Sequence, residues 1–256
     1  MRRAWMTGIS IGLLIASWAS AAEPVVTTAN GTYNVREAPF NAAGNGATDD
    51  TAAFQAAMDA AASDGGGVVT VPAGKYRIAT HLTVPANVTL EGVWRVPSRG
   101  APPDAGSTLL ASEGAGNASG TPFITLGAAA TLSGLNIYYP SQTLPTPTAY
   151  PWTVRGNGER CSIKNVTIVN PYLAVDFGTN PCPLHSINGL YAHALYRGLF
   201  VDQCDPGGRI ENIHFWPFWD LGGSVWPFTR THAIAYQFGN VRGEMAVNLF
   251  GIFYST

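Results

Sequence analysis

Four short stretches in the second half of this 256-residue chain share one pattern, and that pattern constrains the fold more than any other feature. They are Leu132–Ile137, Ile163–Ile168, Ile187–Ala192 and Ile210–Phe215, and the last three start at nearly equal intervals. Each has apolar residues at its first, fourth and sixth places and Asn or Gly at its third. Apolar residues two apart are the alternation of a strand, and Asn or Gly marks a tight bend. One unit of this size cannot bury its own apolar face. Stacked units can, with neighbouring strands about 4.8 Å apart, and that arrangement is a solenoid. Ile163, Ile187 and Ile210 are then expected to stack inside consecutive coils. The longer first interval contains Ser141–Pro147, which reads as a loop projecting from one corner.

Composition agrees. Charged residues make up 12% of the chain, about half the usual share, while Gly (29) and Pro (18) are frequent. A formal net charge of −2 offers no basic surface, so no nucleic-acid partner is expected. Residues 1–22 have the layout of a secretory signal peptide: Arg2 and Arg3, an apolar run from Ile9 to Trp18, then Ala19-Ser20-Ala21-Ala22. Its removal takes away two of the 14 basic residues and leaves 12 against 16 acidic ones. The mature protein over 23–256 is expected to be secreted or periplasmic, with no membrane attachment. Cys161, Cys182 and Cys204 follow one another at intervals close to one coil, which suits either one bridged neighbouring pair or a column of buried thiols.

The segment before the repeats reads as a helix followed by strands. Phe54, Ala57, Met58 and Ala61 recur at helical spacing, and Gly65-Gly66-Gly67 ends the helix. Thr48, Asp49 or Asp50 is expected to cap its first turn. Val68–Val71, Lys75–Ile78 and Asn87–Gly92 read as strands.

The run Gly44-Asn45-Gly46-Ala47-Thr48-Asp49-Asp50-Thr51-Ala52-Ala53-Phe54, continued by Val68-Val69-Thr70-Val71-Pro72-Ala73-Gly74-Lys75-Tyr76, Leu82-Thr83-Val84 and Asn87–Gly92, resembles the start of the pectate-lyase superfamily domain. That domain also occurs in rhamnogalacturonases and viral tailspikes. The resemblance is specific over residues 33–92, with Asn45 standing where the family usually has Asp. It implies a right-handed, single-stranded parallel β-helix capped at its N-terminal end by the helix near residues 50–63, with the helical solenoid running from about residue 68. It further implies activity on acidic or complex polysaccharides, with hydrolysis ahead of lyase or epimerase chemistry. A non-catalytic glycan-binding or structural β-helix is the alternative. The hydrolases' Asn-Thr-Asp, Gly-His-Gly and Arg-Ile-Lys signatures do not occur here. No dense acidic cluster is visible, so no cofactor is expected unless the chain is a lyase, which would need Ca²⁺.

The candidate catalytic residues are Asp176, Asp202 and Asp205. Val175-Asp176 and Val201-Asp202 are spaced near one coil, and neighbouring carboxylates suit a general acid paired with a base. The alternative is that Asp202 and Asp205 bond their own turn. Arg197 and Arg209 are candidates for binding a substrate carboxylate. His185, His193 and His214 read as structural. Trp216 and Trp219, in the aromatic run from His214 to Phe228, are candidates for a saccharide platform or for a hydrophobic cover. Val247–Tyr254 reads as a further apolar strand, which implies missing C-terminal coils or a homo-oligomer.

Overall fold

The computed structural model describes residues 31–100, 104–220 and 222–255, so the leader predicted over residues 1–22 lies outside the described residues. The chain winds in successive coils. The first holds β1 (Thr32–Asn34), β2 (Asn45–Asp49) and helix α1 (Thr51–Ser63); the second holds β3 (Gly67–Val71), β4 (Gly74–Ile78) and β5 (Leu82–Val84). Then follow β6 (Val88–Gly92), β7 (Ser107–Ala111) and β8 (Ile124–Leu126), and β9 (Thr131–Ser133), β10 (Asn136–Tyr138) and β11 (Trp152–Gly156). Later coils carry two strands: β12 (Ser162–Val169) with β13 (Leu173–Phe177), and β14 (Ser186–Ala192) with β15 (Arg197–Val201). β16 (Arg209–Phe215), α2 (Trp226–His232), β17 (Ile234–Phe238) and β18 (Met245–Gly251) complete the chain.

Each strand pairs in parallel with its counterparts in the neighbouring coils, which makes a parallel β-helix with three faces. Face I is β1, β3, β6 and β9; face II is β2, β4, β7 and β10; face III is β5, β8, β11, β13, β15 and β17. From β12 onward one bent strand serves both I and II. The bend falls at the third place of the repeat. Gly134, Asn165, Gly189, Asn212 and Asn248 all have φ between 52° and 79°, a left-handed conformation that only Gly and Asn adopt cheaply. The outward amides also bond from coil to coil: Asn248 Nδ2 to Asn212 Oδ1 at 2.7 Å, and Asn212 Nδ2 to Asn188 Oδ1 at 2.9 Å. Inside, Leu132, Ile163, Ile187 and Ile210 stack in register and are fully buried.

The pairing starts earlier than residue 68, because β1 already pairs with β3. Helix α1 buries Phe54, Ala57, Met58 and Ala61 against β1, β3, β5 and β6. At its start Asp49 acts as expected, its Oδ1 accepting the N–H of Thr51, the first helical residue, at 3.0 Å. Asp50 makes no capping bond; its carboxylate turns back to accept the N–H groups of Ala43 (2.6 Å) and Gly44 (3.1 Å), fixing the loop before β2. The helix ends as predicted, with Gly66 N–H on Ala61 O at 2.9 Å. All three cysteines are free and buried. The thiols of Cys161 and Cys182 share a hydrogen bond, which draws Cys161 below the usual thiol range and pushes Cys182 up. At the last coil, β18 leaves one edge unpaired among the described residues, and Met245, Val247 and Phe250 are exposed.

Candidate functional site on face III

Strand alternation divides face III. Val154, Val175 and Leu199 stand in one rung and belong to the core. The next rung, Thr125, Arg155, Asp176, Phe200 and Gln237, therefore faces outward. At its centre Arg155 Nε meets Asp176 Oδ2 at 2.6 Å. Asp176 Oδ1 accepts the N–H groups of Gly178 (3.0 Å) and Thr179 (2.8 Å). The carboxylate is wholly buried, while the Arg155 side chain keeps 22% exposure. Its Nη groups make no other hydrogen bond among the described residues, so they remain available to an anion.

Aromatic rings flank this pair. Trp152 stacks on Phe200, centroids 6.4 Å apart at 21°. At the corner leading into the face, Tyr172 and Tyr196 lie parallel at 4.9 Å and 3°, and the Arg197 guanidinium sits 4.1 Å over Tyr196. Arg197 Nη1 also donates to the carbonyls of Tyr196 (2.9 Å) and His232 (3.1 Å). These rings and both arginines are half-buried. Connection lengths explain why they are reachable. Residues 170–172 and 193–196 are short links, whereas residues 139–151 on one side and 216–233 on the other are long. The corner at these short links, lying between the two longer connections, is the saddle that carries the tyrosine pair.

The predicted residues divide among the faces. Asp176 and Arg197 lie on face III. Asp176 is in register with Phe200, so Asp202 falls two positions beyond that rung, in the turn after β15. There Asp202 Oδ1 accepts the N–H groups of Gln203 (2.8 Å) and Asn240 (2.5 Å). Asp205 is exposed, 3.3 Å from Arg242. Arg209 opens β16 on another face and bonds Glu211 at 2.7 Å. Trp216 and Trp219 belong to the connection after β16. Trp216 stacks on His214 (5.7 Å), which also packs on Tyr191, Phe218 and Phe250. Burial lowers the pKa of His214. Sequence reasoning missed Trp152, Arg155, Tyr172, Tyr196 and Phe200. A second alignment of inward–outward pairs, Val154-Arg155 on Val175-Asp176 on Leu199-Phe200, places two of them, Arg155 and Phe200.

His185 is structural: Nδ1 contacts Cys182 O at 2.8 Å and Nε2 contacts Glu244 at 3.1 Å. His193 is buried with both ring nitrogens unpartnered among the described residues. Burial lowers its pKa from 6.5 to about 4, an effect partly offset by Asp220. Because the unfolded chain binds this proton first, stability is full above about pH 6.5. It falls as the pH drops toward about 4, by about 3 kcal/mol in all. Denaturant midpoints followed across that window should lose this slope in His193→Leu; an unchanged slope would place its origin elsewhere. Among the described residues, no group of three or more His, Cys, Asp and Glu side chains converges as a metal site.

Comparison with known proteins places this geometry in context. The chain is 48% identical over 67 residues to mannuronan C5-epimerase AlgE5 of Azotobacter vinelandii, a match covering 23% of this chain and 6% of that protein. It is 55% identical over 47 residues to alginate lyase 7 of the same organism, covering 18% and 5%. The matches thus span a small fraction of these relatives' own length. A protein of Parabacteroides merdae named as a candidate glycosyl hydrolase superposes with a TM-score of 0.60 at 16% identity, over 86% of this chain and 96% of that one, a likeness of fold. Residues 32–171, more than half of the chain, match the family described as Rhamnogalacturonase A/epimerase, pectate lyase-like, and the chain belongs to that family.

Proposed function

We propose that this protein is exported and holds an acidic polysaccharide across the outer face of face III. The observation that carries the reading is the outward rung of Arg155, Asp176 and Phe200, bordered by Trp152 and the parallel Tyr172–Tyr196 pair. Pyranose rings present apolar faces that lie flat on aromatic side chains, and guanidinium groups pair with carboxylates in bidentate fashion. Arg155 and Arg197 supply such groups on one saddle. Relatives named for mannuronan and alginate make a uronate polymer the natural ligand class. Hydrolysis with two carboxylates needs a second carboxyl group about 5–9.5 Å from the first. Asp176 is wholly buried and bound by Arg155 and two backbone amides, and Asp202 serves its turn, so the geometry favours recognition over hydrolysis. Family membership favours a second reading, a polysaccharide-modifying enzyme.

Both readings meet in one experiment. Purified protein is offered alginate, polygalacturonate and a neutral glucan, and binding, reducing ends, unsaturated uronate and uronate stereochemistry are followed together. Binding of the acidic polymers that weakens with salt, and falls at least tenfold in Trp152→Ala and Tyr196→Ala, is expected. Equal binding of the neutral glucan, or wild-type affinity in both variants, would overturn the recognition reading. Turnover lost in Asp202→Asn would instead move the chemistry to the turn after β15.

A further inference from the structure

Face II carries its own recess, of about 490 Å³, within the range of ligand sites. Its floor is Asn136 and Thr167, neighbours in the outward rung of that face, which continues in register to Tyr191 and His214. One wall is the connection after β6, which contributes Trp94 and Arg95; the other is the connection after β16, which contributes Trp219. The two connections are tied by Gly100 N–H on Phe218 O at 3.2 Å.

We infer that this recess is a second saccharide site, built for a uronic-acid unit and separate from the saddle on face III. Only the choice of an acidic sugar rests on the proposed function; the site itself stands on its own geometry. Trp94 is fixed from below, its Nε1 donating to Thr167 Oγ1 at 2.8 Å and its ring lying 5.7 Å from Tyr191. Trp219 is braced by Phe218 at 5.3 Å, and its Nε1 is buried without a partner among the described residues. Asn136, only 6% exposed, gives its amide N–H to Ala105 O, and its Oδ1 has no protein donor among the described residues. The recess thus offers two indole rings and an acceptor for a sugar hydroxyl. Charge selects among sugars. Arg95 lines the recess, no Asp or Glu does, and Arg95 has no ion pair among the described residues. Val93 and Val96 stand at the mouth 52% and 60% exposed, apolar surface that a bound ring would cover. Because the rings and floor are already held, little ordering is needed on binding. With sites on two faces, one chain can bridge two polymer strands, and each site raises the effective concentration of ligand at the other.

The test is calorimetric titration of the full chain with a galacturonate tetramer and, in parallel, a neutral glucose tetramer. The wild type is expected to bind two acidic tetramers. Trp219→Ala and Arg95→Gln should each weaken one of the two sites at least tenfold, and Trp219→Phe should restore most of the loss. Arg95→Gln should leave any binding of the neutral tetramer unchanged. Trp152→Ala should remove the other site. A single site lost in Trp152→Ala and untouched by Trp219→Ala and Arg95→Gln overturns this inference and leaves the face III reading standing. A single site with the opposite response upholds this inference and overturns the other. No binding at all overturns both. Thermal midpoints of the variants within a few degrees of wild type establish that lost binding is not lost fold.

Discussion

Arg155→Ala lowers the free energy of unfolding by about 3–5 kcal/mol, the range seen when one partner of a buried ion pair is removed. Asp176 has no exposed surface, and among the described residues Arg155 supplies the only charge within bonding distance of Oδ2. Its other oxygen is held by the N–H groups of Gly178 and Thr179. Truncating the arginine leaves a carboxylate in the wall of face III with two neutral donors and no cation. The residual exposure of Arg155 lets water reach the gap, so the lower end of that range is expected. The double change Arg155→Met with Asp176→Leu should recover much of the loss, because an apolar pair of similar volume removes the desolvation penalty with the pair. Urea titration at neutral pH decides the matter. A loss under about 1 kcal/mol for Arg155→Ala would mean that Asp176 is already hydrated, in which case a catalytic role for it regains force. Since Arg155 serves both the fold and the proposed anion contact, loss of binding in this variant proves nothing, and Trp152 and Tyr196 are the sound probes of the saddle.

The fold was legible because the solenoid writes its period into the chain. The third-place Asn or Gly at 134, 165, 189 and 212 marks the one bend that needs a left-handed backbone, and these residues occupy it. The apolar first, fourth and sixth places fill the interior. The site was less legible for a physical reason. That repeat covers faces I and II, where the strand runs unbroken through the bend. Face III sits behind connections of very unequal length, as at 170–172 and 216–233, so its register cannot be counted from the repeat. The spacing from Asp176 to Asp202 resembles one coil, yet on that face Asp176 pairs with Phe200, and a slip of two positions is enough to carry Asp202 off the strand. Of the capping candidates, Asp49 takes the Thr51 N–H while Asp50 makes no capping bond. Asp50 has the right side chain at the right place, but the loop at residues 43 and 44 offers it two N–H donors closer to hand. The Trp216–Trp219 run was visible as unusual, and the structure sets Trp219 across a recess from Trp94, far earlier in the chain, which no local pattern records.

Ile187→Ala is expected to destabilise the protein by about 2–5 kcal/mol through lost transfer energy and the cavity left behind. Ile187 lies in the middle of the column, between Ile163 below and Ile210 above, with no exposed surface. The backbone on either side is clamped by parallel pairing to β12 and β16, so the surroundings have little freedom to collapse into the space. The upper half of the range is therefore expected. Ile210 offers an internal comparison. Its neighbour above is Ala246, on a strand whose other edge is unpaired among the described residues, so Ile210→Ala should cost less. Because each coil of a solenoid touches only its neighbours, Ile163→Ala and Ile187→Ala share one interface and should not add. Their combined effect should depart from the sum by more than about 0.5 kcal/mol, whereas Ile187→Ala and Val69→Ala, separated by several coils, should add within that margin. Equal losses at Ile187 and Ile210 would show that the last coil is as tightly packed as the middle one. A loss under about 1 kcal/mol at Ile187 would mean the column of isoleucines is not what holds successive coils in register.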